Sequence, residues 1–88
     1  MGGHMITISF TDDRLEARGH AGHDEPGKDI VCASVSILIY TFVEYYDADI
    51  LTDTPDCMIV DTSNCDTSFI KKGFEMIQEE YPDYVRLI

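Results

Sequence analysis

The stretch DIVCASVSILIYTFVEYY, residues 29–46, decides how the rest of the chain must fold. It holds neither Gly nor Pro, and its length favours a helix over a strand although Ile30, Val31, Val35, Ile37, Ile39 and Val43 are β-branched. Asp29 is a good N-cap, which makes Ile30, Val31 and Cys32 the first three helical residues. Apolar residues occur nearly all round this helix, so one sheet face cannot bury it, and a second helix or a partner subunit is expected on its far side.

Upstream, MITISF (5–10) alternates Ile6, Ile8 and Phe10 with Thr7 and Ser9, and RLEARG (14–19) alternates Leu15 and Ala17 with Arg14, Glu16 and Arg18. Both repeat at strand period, and Asp12 and Asp13 between them mark a hairpin turn. Residues 21–28, AGHDEPGK, combine glycines, a proline and charges, which describes an exposed, mobile loop. His20 then sits where a strand runs into a loop.

Downstream, the acidic 47–56 segment reads as a solvated loop, and CMIV (57–60) as a buried strand. Ile70, Phe74, Ile77 and Tyr81 recur at helical spacing, Pro82 marks the end of that helix, and Gly73 inside it suggests close approach of another backbone. YVRLI (84–88) closes the chain as a short strand. The expected fold is α+β, a two-layer domain with a small mixed or antiparallel β-sheet and two helices in the order ββαβαβ, with room for an extra short strand before the second helix.

Composition narrows the function. The first four residues, MGGH, read as an expression-tag remnant, leaving residues 5–88 as a single domain without linker or repeat. Seventeen acidic against six basic side chains give a formal charge of −11, which repels nucleic-acid phosphate and anionic membrane surfaces and favours a basic partner. No signal peptide is legible, and the apolar run from Ile30 to Val43 is too short and Ser-interrupted to span a bilayer, so a cytoplasmic protein is expected. The three cysteines, Cys32, Cys57 and Cys65, lack the spacing of a disulfide framework and are expected as thiols.

Cys32 is the residue with chemical promise. A thiol in the first turn of a helix is favoured as thiolate by the helix dipole. His20 lies upstream across a loop long enough to fold its imidazole back onto the sulfur, the arrangement that activates a Cys–His nucleophile. Asp29 acts against the thiolate unless it caps backbone N–H groups or orients His20, and Ser36, one turn on, shares the face of Cys32 and can hydrogen-bond the sulfur or a substrate. Other readings stand beside this one. A cysteine in an apolar helix is more often inert packing, and His20, His23 and Cys32, with Asp24 and Glu25, could ligate zinc, although the spacing matches no common site. Cys57 and Cys65, without a nearby histidine in sequence, read as structural.

The spacing GHAG (19–22) followed by GKDIVCASVS (27–36) resembles the signature of the bacterial ribosomal-processing cysteine protease family (Prp): a Gly–His pair, a loop, then Gly-x-Asp-x-x-Cys-x-x-x-Ser. The match lies at Gly19, His20, Gly27, Asp29, Cys32 and Ser36, and GFEMIQEEYPDYVRLI (73–88) is similar to the family's closing helix and strand. The region between the helices is shorter than the family pattern.

The resemblance implies a cysteine endopeptidase that removes the N-terminal extension of large-subunit ribosomal protein twenty-seven during ribosome assembly. It implies Cys32 as nucleophile, His20 as general base, Asp29 and Ser36 as supporting residues, and Gly19, Gly22 and Gly27 in the substrate loop. A homodimer and an apolar pocket for an aromatic pair before the cleaved bond follow from it; no cofactor or metal is expected, and the net charge argues against a direct nucleic-acid or membrane partner. The acidic surface suits a basic, N-terminally extended ribosomal protein precursor. The rival is a non-enzymatic acidic assembly factor that binds the same basic partner with Cys32 buried.

Overall fold

The computed structural model describes residues 5–19, 28–54 and 56–88. Its elements are β1 (Ile6–Phe10), β2 (Arg14–Arg18), α1 (Lys28–Tyr46), β3 (Ile50–Thr54), β4 (Cys57–Asp61), α2 (Ser68–Glu80) and β5 (Val85–Leu87). The strands form one five-stranded sheet in the order β3-β4-β2-β1-β5. Of these strand pairs, only β1 and β5 run parallel. The two-layer α+β expectation holds, with the extra strand supplied by β3.

Strand alternation builds the core. Ile8 faces Ala17 and Phe10 faces Leu15 across the β1–β2 hairpin, Leu15 and Ala17 face Val60 and Met58 of β4, and Ile6 and Ile8 face Val85 and Leu87 of β5. The period of two sends all of these to one face. The hairpin closes where expected, Thr11 N–H donating to the Arg14 carbonyl at 2.9 Å.

Both helices cover that apolar face. From α1 come Val31, Val35, Ile39 and Phe42, and from α2 come Ile70 and Phe74, all buried. Phe74 is fully buried and its ring lies 6.2 Å from that of Phe10. Truncating such a side chain to alanine removes about 3–5 kcal/mol. On the sheet's other face, Thr7, Ser9, Glu16, Arg18 and Arg86 alternate with the core residues, and Arg18 pairs with Glu16.

The helix ends have local causes. Asp47 has φ 54°, and Ala48 N–H donates to the Val43 carbonyl at 3.0 Å, the six-to-one bond of a Schellman motif. Asp therefore holds the left-handed position usually given to glycine. At the start of α2, Asp66 Oδ1 accepts the Ser68 N–H at 2.9 Å, which holds the Asp66 carboxyl below its ordinary range. Tyr81 N–H donates to the Ile77 carbonyl at 2.8 Å before Pro82 stops the helix, and Gln78 Oε1 accepts the Leu87 N–H at 2.7 Å, tying α2 to β5.

Four expectations need correction. The acidic segment is not all loop: Ile50–Thr54 pairs with β4 as the sheet's edge strand, and among the described residues it has no second strand beside it. CMIV is a strand, but only Val60 in it is buried. Helix α1 begins at Lys28, so Asp29 lies in its first turn rather than before it. The close neighbour of Gly73 is a side chain: a Cβ there would lie 2.6 Å from Leu38 Cδ2, on α1.

Candidate active site

β2 hands the chain towards the site through Gly19. This residue has φ 87°, and a Cβ on it would stand 2.5 Å from the Met5 carbonyl oxygen, so glycine alone fits. Its N–H donates to the Asp56 carbonyl at 2.7 Å, which pins the end of β2 between β1 and the β3–β4 turn. His20 is the next residue. His20, Gly22 and Gly27 lie outside the described residues, as do the side chain of Asp29, the zinc-reading residues His23, Asp24 and Glu25, and the first four residues.

A cleft of about 240 Å³ opens beside Gly19. One wall is α1, through Cys32, Ser36 and Tyr40, which recur every four residues and so share a helix face. The opposite wall is the β3–β4 hairpin, through Asp53, Thr54 and Cys57. Ile6, Ala17, Val35, Ile39 and Met58 complete its lining. Cys32 is a free thiol, half-buried, neither sealed in the core nor fully exposed. The structure thus brings together Cys32, Ser36 and Gly19 of the sequence-predicted set.

With α1 starting at Lys28, Cys32 is the fifth helical residue rather than the third. The Ser36 hydroxyl is exposed and has no hydrogen-bond partner among the described residues, which leaves it available to a ligand.

Three cleft residues escaped sequence reasoning. Cys57 reaches the cleft through the register that sets it opposite Arg18, a long-range pairing with no local signal. Tyr40 and Asp53 meet across the cleft, the Tyr40 hydroxyl donating to Asp53 Oδ2 at 3.0 Å. That hydrogen bond, with burial and the carboxylate's charge behind it, raises the Tyr40 phenol above its ordinary range and keeps it a donor at neutral pH. Cys65 stands apart from the cleft, and burial pushes its thiol up.

A second depression, apolar and about 400 Å³, lies on another side of α1 between Leu38, Phe42, Tyr45 and Tyr46 and the α2 residues Phe69 and Ile70. Tyr45 and Phe69 are 80% and 72% exposed.

Comparison with known proteins gives this arrangement its class, that of a cysteine protease. The chain belongs to the family described as cysteine protease Prp, whose model matches residues 5–86. It is 32% identical over 91 residues to the ribosomal processing cysteine protease Prp of Mycoplasma genitalium, covering 92% of each chain. The crystal structure of SMU.848 from Streptococcus mutans superposes with a TM-score of 0.82 at 27% identity, over 99% of this chain and 96% of that one. Prp from S. aureus in complex with a covalently linked product peptide gives a TM-score of 0.69 at 27% identity, over 94% and 95% of the two chains. The same protease in complex with a substrate peptide shares the fold, at a TM-score of 0.73 and 24% identity over 96% of both chains.

Proposed function

We propose that this chain is an endopeptidase that removes the N-terminal extension of large-subunit ribosomal protein twenty-seven, with Cys32 as nucleophile and His20 as general acid and base. The observation that carries the reading is the position of Cys32: half-buried in a cleft whose edge is Gly19, the residue before His20. The naming of the M. genitalium relative for ribosomal processing supports the substrate class, and the covalently linked product peptide of the S. aureus protease supports a covalent mechanism.

The chemistry follows from the residue types. Cys32 Sγ, as thiolate, attacks the scissile carbonyl carbon; the tetrahedral intermediate collapses, the C–N bond breaks, and His20 gives its proton to the departing amine. Water deprotonated by His20 then attacks the thioester and regenerates the thiolate. Backbone N–H groups left free in the first turn of α1, or those of residues 22–27, serve the oxyanion. Ile6, Val35, Ile39 and Met58 make an apolar floor for the residues before the cleaved bond. Asp29, one turn before Cys32, orients His20, and Ser36 holds the peptide.

The substrate is basic and extended, and the net charge of −11 speeds its capture. Ribosome assembly places the reaction in the cytoplasm. The exposed Tyr45 and Phe69 beside the apolar depression support a homodimer built on α1.

The test is incubation with a peptide spanning the extension junction, read by mass spectrometry. Wild type is expected to cleave it at one bond, and Cys32→Ala and His20→Ala to slow cleavage by at least about a thousandfold while melting like wild type. Binding without cleavage would favour the acidic assembly-factor reading.

A further inference from the structure

Asp53 belongs to the Cys32 cleft by position and to no part of the catalytic chemistry. It sits on the exposed edge strand β3, faces the cleft, and is held there by the Tyr40 hydroxyl, reaching across from α1. One hydroxyl engages only Oδ2, and a carboxylate accepts about four hydrogen bonds. Among the described residues no Lys or Arg pairs with it.

We propose that Asp53, positioned by Tyr40, is a specificity-determining residue that receives a Lys or Arg side chain of the peptide substrate. The proposal rests on the reading of Cys32 as the nucleophile. Cys32 and Tyr40 are two turns apart on α1, so the carboxylate lies about 12 Å along the helix from the reacting sulfur. An extended peptide advances about 3.3 Å per residue, which sets the basic residue about three or four positions from the scissile bond. Between the two points lie Val35, Ile39 and Met58, an apolar surface for the aliphatic stem of Lys or Arg, while the charged head reaches Asp53.

A merely structural link between α1 and β3 would behave differently, because its loss would harm every substrate alike. The experiment compares junction peptides that carry Lys or norleucine at the third or fourth position on either side of the cleaved bond. At one of these positions wild type is expected to favour Lys by about tenfold in kcat/KM, mostly through KM, as for a charge-assisted hydrogen bond at a partly open site. In Asp53→Asn, which preserves the Tyr40 contact, the preference should fall below about twofold, and Asp53→Lys should favour Glu instead. Tyr40→Phe should give an intermediate preference. Titrating the same peptides onto Cys32→Ala reads the discrimination as affinity without catalysis. If no peptide is cleaved, the protease reading fails, and this binding difference alone decides Asp53. Absence of a Lys preference from wild-type turnover and from Cys32→Ala binding alike, or its survival in Asp53→Asn, would overturn the proposal.

Discussion

The two sides of α1 carry opposite chemistry on one continuous helix. Along 32, 36 and 40 it presents a thiol, a hydroxyl and a phenol to a polar-walled cleft, and around 38, 42 and 45 it presents Leu, Phe and Tyr to an apolar depression. The first side is closed off by β2 and the β3–β4 hairpin, whose backbone is fixed by sheet hydrogen bonds. The second is closed by one helix and left open beyond it. Preorganised polar chemistry needs a rigid wall, and only the first side has one. A helix apolar nearly all round therefore faces three surroundings: the core, the Cys32 cleft and an open apolar depression.

The largest effect is expected at Gly19, on the cleft side of the molecule. Gly19→Ala forces a residue with a Cβ into φ 87° and into the Met5 carbonyl, and should remove about 3 kcal/mol of stability in urea titration. It should abolish peptide cleavage as well, since Gly19 edges the Cys32 cleft. Wild-type stability in that variant would mean that the end of β2 is not pinned as described.

On the apolar side, Tyr45→Ser combined with Phe69→Ser removes the two most exposed rings of the depression. Sedimentation at micromolar concentration should show wild type as a dimer and the double variant weakened by about a hundredfold in self-association, with the monomer still folded. A monomeric wild type would remove the contact role and leave the depression as a surface feature.

The smallest effect sharpens the same side. Asp66 steadies the turn of α2 that presents Phe69, and its carboxyl is held low chiefly by the Ser68 N–H. A depressed carboxyl stabilises above the unfolded pKa, near about 4, and loses that contribution as pH falls through its folded value. The melting temperature of Asp66→Ala should therefore trail wild type at neutral pH and converge with it as pH falls below about 4. A gap constant from neutral to acid would assign the effect to something other than that carboxylate.

Much of this molecule was legible in its sequence because the signals were local. The period-two runs of β1 and β2, the Gly- and Pro-free run of α1 and the spacing of Ile70, Phe74 and Ile77 each depend on a few neighbouring residues. The sequence allows an extra short strand before α2 but does not locate it at 50–54, because an edge strand buries little and ILTDT shows no apolar alternation. Cys57 and Asp53 have no local signal for a related reason: β-pairing across the sheet, rather than spacing along the chain, brings them to the cleft that Cys32 lines. Gly73 signalled a close approach correctly, but no pattern in one helix tells whether backbone or a Leu38 side chain fills the space. The start of α1 was misplaced by the attraction of Asp29 as a cap, an offset of the size that fraying produces at any helix end, about a residue or two.

The assignment of Cys32 is tested most directly by trapping the covalent intermediate. The wild-type chain is mixed with the junction peptide, quenched in acid within the first turnover, digested, and mapped by mass spectrometry for an acyl group on sulfur. The expected result is a thioester on Cys32, absent from Cys57 and Cys65, and decaying as the released extension accumulates. Cleavage that proceeds with the acyl group on Cys57, or that persists in Cys32→Ala, would contradict it.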